Sequence, residues 1–108
     1  MLNKDKAFDA EAIRDTNDHT SIEINNGDFV VKSLIIENGL NQEVTFQCQG
    51  SAEAGFSNPF DIGGEWSVAA NTNQLQTCDS YIPFWRIIAS CSVAPTSGTL
   101  TVFVLGVE

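Results

Sequence analysis

Positive charge is scarce in this chain. Five Lys and Arg stand against fourteen Asp and Glu, a formal net charge of −9 over 108 residues. Affinity for nucleic acid comes mainly from cations that neutralise phosphates, so DNA and RNA are not expected partners. An anionic membrane surface is disfavoured for the same reason. Histidine is scarcer still: His19 is the only one, and any Ser-His-Asp triad would have to be built on it. Long apolar runs are missing. Charges interrupt MLNKDKAFDAEAIRD at the N-terminus, so no signal peptide is expected, and no stretch is long enough to span a bilayer. Synthesis in a reducing cytoplasm is the corresponding expectation. The three cysteines, Cys48, Cys78 and Cys91, are odd in number and lack the close spacing of a zinc site. Cys48 and Cys91 fall on the apolar sides of alternating runs and read as small buried hydrophobes. A disulfide is expected only in an oxidising setting.

What is present is β structure. Hydrophobic residues make up 43% of the chain, enough for one modest core in one domain. The last quarter organises the rest. In YIPFWRIIASC, residues 81–91, Trp85, Ile87, Ala89 and Cys91 alternate onto one face, with Val93 continuing the series. In TLTVFVLGV, residues 99–107, Leu100, Val102 and Val104 share a face, opposite Phe103 and Leu105. The Pro-Thr-Ser-Gly break between them predicts a hairpin with a long loop. Neither strand has a fully polar face, so both are expected to be central, with the second face partly covered by another element or subunit.

Earlier in the chain, Thr20 to Ile24 alternates with Ile22 and Ile24 inward, and Phe29 to Glu37 reads as a strand. Asn38-Gly39 predicts a hairpin turn into Glu43 to Gln49, where Val44, Phe46 and Cys48 point in. Residues 50–64 read as a loop anchored by Phe56, Phe60 and Ile62, with Gly63-Gly64 as a turn or bulge. Glu65 to Ala69 and Leu75 to Cys78 are short strands. Seven or eight strands at short spacing predict an all-β fold, an antiparallel β-sandwich of jelly-roll type. Residues 1–19 stand apart as an N-terminal arm or short helix, with Phe8, Ala12 and Ile13 as its stripe; residues 20–108 form the sandwich domain.

Three constellations bear on chemistry. Asp15, Asn17, Asp18 and His19 bunch oxygens and one imidazole, but the spacing is not that of an EF-hand, and these residue types also close turns unaided. No cofactor or metal is expected. Trp66, Tyr81 and Trp85 are an alternative platform for stacking sugar rings, against their commoner use as core. Tyr81 has a further reading as a corner tyrosine bonded to local backbone. Arg86, inside an apolar run, must reach solvent or a partner, and a carboxylate is the expected one, within the chain or across an interface. Acid–base and nucleophilic groups do not converge, so an enzyme is not expected.

Three stretches taken together, RDTNDHTS at 14–21, IIENGLNQEVTFQCQGS at 35–51 and YIPFWRIIASCSVAPTSGTLTVFVLG at 81–106, carry a resemblance. They resemble the small all-β structural proteins encoded with the virion genes of tailed bacteriophages and prophages. The resemblance implies a non-enzymatic virion protein of capsid decoration, head-fibre, neck or tail-accessory type. Such a protein acts by assembling with itself and docking on a larger capsid, portal or tail protein. It transfers no catalytic residue. The expected assembly residues are Phe8 and Ile13 on the arm, with Arg86 and Phe103 on the last two strands.

Overall fold

The computed structural model describes residues 2–22, 31–53, 55, 56, 58–78 and 84–107. Eight strands follow in order: β1 (Leu2–Glu11), β2 (His19–Thr20), β3 (Val31–Asn38), β4 (Val44–Ser51), β5 (Phe60–Val68), β6 (Thr72–Cys78), β7 (Phe84–Ser90) and β8 (Leu100–Val107). No helix occurs among the described residues.

The strands form two four-stranded sheets. The front sheet runs β1-β8-β3-β6 and the back sheet β2-β7-β4-β5. All pairings are antiparallel. Across both sheets β1 pairs with β8, β2 with β7, β3 with β6 and β4 with β5. Those are the pairings of one long hairpin, first half against second half. Rolled so that alternate pairs fall in opposite sheets, it gives the eight-stranded jelly roll. The expected antiparallel sandwich is therefore what forms.

Period-two alternation builds the core between the sheets. β7 contributes Trp85, Ile87 and Ala89, β4 contributes Val44, Phe46 and Cys48, and β8 contributes Leu100, Val102 and Val104, all buried. Leu34 and Ile36 of β3 face them. Trp85 is the largest fully buried side chain, 1% exposed. β7 and β8 are both interior strands, as expected, yet they do not pair with each other. They lie in opposite sheets, so 91–99 is an arch between sheets and not a hairpin loop.

The same holds for Asn38-Gly39. Its local signal is a tight turn, but β3 and β4 belong to different sheets. Asn38 is buried and ties the corner down from inside. Its Nδ2 donates to the carbonyls of Gln42, Val68 and Ala69, and its Oδ1 accepts from Leu40 N. The two arches then stitch together. Gly39 N donates to Thr99 O at 2.9 Å. Asn41 donates through Nδ2 to Thr96 Oγ1 and accepts at Oδ1 from Thr96 N. Gly98, at φ +89°, sits so close to Gly39 that an added Cβ would fall 1.9 Å from its carbonyl oxygen. A side chain there is incompatible with the crossing.

The N-terminal segment also departs from expectation. Residues 2–11 are a strand of the front sheet and not a separate arm or helix. The register slips between Lys6 and Phe8 and again between Phe8 and Glu11. Those bulges turn the adjacent Ala7 and Phe8 both inward. Ile13 is fully buried as well, while Ala12 is exposed. A bulged strand broke the period of two, and the resulting spacing mimicked a helical stripe.

Smaller corrections follow from the same topology. Ile22 is 55% exposed, not inward, and Ile24 lies outside the described residues. β5 starts at Phe60, so much of the expected loop is strand. Gly63, at φ +68°, and Gly64 form the expected bulge within it, between the Phe46–Trp66 and Cys48–Ile62 pairs. Ile62 packs against the core, and Phe56 is buried with its ring beside the Arg86 guanidinium rather than in the core, but Phe60 is exposed.

Candidate functional site

On the back sheet, the outward side chains of β4 and its neighbours form a shallow cleft of about 340 Å³, lined by Asp18, Thr45, Gln47, Gln49, Asp61 and Glu65 among others. Its amide donors are already used. Gln47 Nε2 donates to the carbonyls of Cys48 and Gly63, and Gln49 Nε2 donates to Asp61 Oδ1 at 3.2 Å. Beside it, Arg86 Nε and Nη2 both donate to Gln49 Oε1, at 3.0 and 2.8 Å. The guanidinium also lies 4.5 Å from the centre of the Phe56 ring. Within the described residues of the chain Arg86 therefore meets an amide rather than a carboxylate, with Asp61 on the far side of Gln49. The sequence could not show this, because Gln49 is opposite Arg86 only in the register of β4 on β7.

His19 opens β2 opposite Ala89. Its Nε2 donates to Asp15 Oδ1 at 2.7 Å, and the same oxygen accepts from Asn17 N. The hydrogen bond from His19 is the main reason the Asp15 carboxyl is held below its ordinary range. Asp15 and Asn17 thus close a turn on themselves, and Asp18 lines the cleft instead. No group of three or more metal-ligating His, Cys, Asp or Glu side chains occurs among the described residues.

His19 also borders an open groove of about 280 Å³ between β1 and β2, together with Phe8, Glu11 and Ser21. The serine is engaged. Ser21 Oγ donates to Ile22 O and accepts from Ile87 N. The nearby Cys91 thiol is buried, and desolvation, then the charge on Asp15, pushes its pKa up. It behaves as core rather than as a thiolate. Cys48 is likewise buried in the core.

The residues of the expected sugar platform fall in different surroundings. Trp85 is in the core. Trp66 is half-buried and packs one face on Phe46, with ring centres 5.5 Å apart and planes at 22°. Its indole N–H is buried without a hydrogen-bond partner among the described residues. Tyr81, with both of its readings, lies outside the described residues.

The outer face of the front sheet is different in kind. Phe103 of β8, Ile35 of β3 and Leu75 of β6 stand side by side in register. Their inward neighbours Val102, Val104, Leu34 and Ile36 are buried, so these three point out. Leu75 is 65% exposed, and Phe103, Ile35 and Leu105 are half-buried. On β1, Lys6 closes the row, with Nζ 5.4 Å from the Phe103 ring centre and 3.3 Å from Asp9. Of the expected assembly residues, Phe103 lies on this row and Arg86 on the opposite sheet. Phe8 and Ile13 are buried in the core, Phe8 reaching only the floor of the groove beside His19. Sequence pattern had marked Phe103 as outward. It missed Ile35 and Leu75, which join it only through strand pairing.

No family model matches the chain, and no curated protein matches it. Among solved structures, one titled "Crystal structure of PirA" aligns with 99% of this chain and 82% of its own, at 15% identity and a TM-score of 0.49. A likeness at that level carries neither function nor a site to this chain.

Proposed function

We propose that this protein is a non-enzymatic virion structural protein of a tailed phage, of capsid decoration, neck or tail-accessory type. It acts through oligomeric assembly and docking on a larger virion protein. The observation that carries the docking role is the apolar row Phe103–Ile35–Leu75 across the outer face of the front sheet. Isolated exposed hydrophobes are ordinary, but a contiguous row across a sheet face gains free energy when a partner covers it. The virion setting comes from the sequence resemblance at 14–21, 35–51 and 81–106. Residues 1–19 take part in the role as sheet and core, not as a detachable docking arm.

The test uses particles purified on a density gradient from cells making the protein. Native chain is expected to co-purify with them, and Phe103→Glu is expected to fold normally yet be absent from them. Native chain that stays wholly with free protein, or Phe103→Glu that enters particles as well as native, would overturn the reading.

A further inference from the structure

The two sheets present four edge strands: β1 and β6 in front, β2 and β5 behind. An unpaired edge is a template for another chain, and edges that must stay single are blunted by charge, proline or bulges. Three of the four are. β1 is bulged and carries charges of both signs, Lys6 with Asp9 and Glu11. β5 is bulged at Gly63-Gly64 and carries Asp61 and Glu65. β2 is only two residues long.

β6 has none of these devices. Its sequence TNQLQTC holds no charge, proline or glycine. Its register on β3 runs unbroken from Asn38–Thr72 to Lys32–Cys78. No strand among the described residues covers its other side.

We infer that β6 pairs with β6 of a second copy, antiparallel about a two-fold axis at Leu75, merging two four-stranded front sheets into one continuous sheet. This rests on the assembly reading and names one of its interfaces. Charge selects the occupant. A chain of net charge −9 can meet itself along an edge only where carboxylates are not brought face to face. Among the described edge strands of more than two residues, β6 alone carries no carboxylate, so no pairing with its own copy can set two of them opposite each other. Its sequence also suits the symmetry. Leu75 is the middle residue of Thr72–Cys78, with Gln74 and Gln76 on either side. A two-fold axis there places Leu75 opposite its own mate, and Gln74 opposite Gln76 of the partner subunit. The apolar row then continues across the axis from Phe103 and Ile35 to Leu75 and on into the second copy.

Disulfide trapping tests the axis. Directly opposed residues have Cα atoms about 4.5–5.5 Å apart, within disulfide reach. Leu75→Cys is therefore expected to give a covalent dimer on mild oxidation. Asn73→Cys, on the same exposed strand, would lie four residues out of register with its mate, about 13 Å away. It is expected to give no covalent dimer, as is the native chain with its own cysteines. In light scattering, native protein should reach twice the 11.7 kDa of one chain, and Leu75→Lys should return it to one. Failure of Leu75→Cys to cross-link, or equal cross-linking at both positions, overturns the inference. A dimer that survives Leu75→Lys overturns it too, while leaving the wider assembly reading standing. Native protein that is monomeric throughout overturns this interface and removes self-assembly from that reading.

Discussion

Replacing Asn38 by Ala is expected to cost about 2–4 kcal/mol of stability. The side chain is 1% exposed and is the inner tie of the arch between β3 and β4. Its Nδ2 lies 3.1, 3.1 and 3.0 Å from the carbonyls of Gln42, Val68 and Ala69, and Oδ1 lies 3.1 Å from Leu40 N. Two hydrogens serve the three carbonyls. In Asn38→Ala, water can reach the partly exposed oxygens of Gln42 and Ala69. The buried bonds to Val68 O and Leu40 N have no such replacement. Two buried groups left unpaired, at about 1–2 kcal/mol each, give the stated range. Asn38→Asp is the sharper variant. It keeps the shape but sets a carboxylate against three carbonyl oxygens, so its pKa in the folded state rises above the unfolded value. The native state then holds its proton longer, and the variant's deficit shrinks as pH falls below that raised pKa and is full above it. Urea unfolding followed by tryptophan fluorescence, at neutral and acidic pH, reads both variants. An Asn38→Ala loss below about 1 kcal/mol, or an Asn38→Asp protein as stable as native at neutral pH, would refute the reasoning.

Other substitutions probe other joints. Gly98→Ala forces a Cβ to 1.9 Å from Gly39 O at φ +89°, and is expected to cost more than about 2 kcal/mol in the same assay; a neutral variant would contradict the arch crossing. Arg86 and Gln49, joined by two hydrogen bonds, should show a coupling of about 1 kcal/mol in a double-mutant cycle with Ala; strictly additive losses would deny the contact. Asp15 is held below its ordinary value of 3.8 by His19. Its stabilising contribution is therefore complete above that value and is lost as pH falls through the lower folded-state pKa. Asp15→Asn should flatten that part of the acid unfolding curve, and an unchanged curve would show that the pair contributes nothing. Deleting residues 1–19 should unfold the protein, because it uncovers β8 and removes Phe8 and Ile13 from the core; a cooperative native-like melt of the truncated chain would contradict that.

Sequence pattern revealed which residues face inward far better than which strands pair. The alternation in β4, β7 and β8 gave Val44, Phe46, Trp85, Ile87, Val102 and Val104 as core, because burial on one face imposes a local period of two. Pairing has no such local signature. Asn38-Gly39 marks a sharp change of direction, but only Asn38's contacts with Val68 and Ala69, thirty residues on, make it an arch rather than a hairpin. The same is true of 91–99, whose loop is held by Asn41 and Gly39 from another part of the chain. In β1 the bulges at Ala7–Phe8 erased the period altogether. The outward row was half legible: Phe103 showed as an apolar residue on the wrong face, whereas its neighbours Ile35 and Leu75 become neighbours only once β3 lies between β8 and β6.

Assembly through the front sheet is read most directly from the mass of the native protein in solution, measured by light scattering over a wide range of concentration. The account predicts a mass that rises from the 11.7 kDa of a single chain to a defined multiple of it as concentration increases. A mass of one chain at every concentration would contradict it.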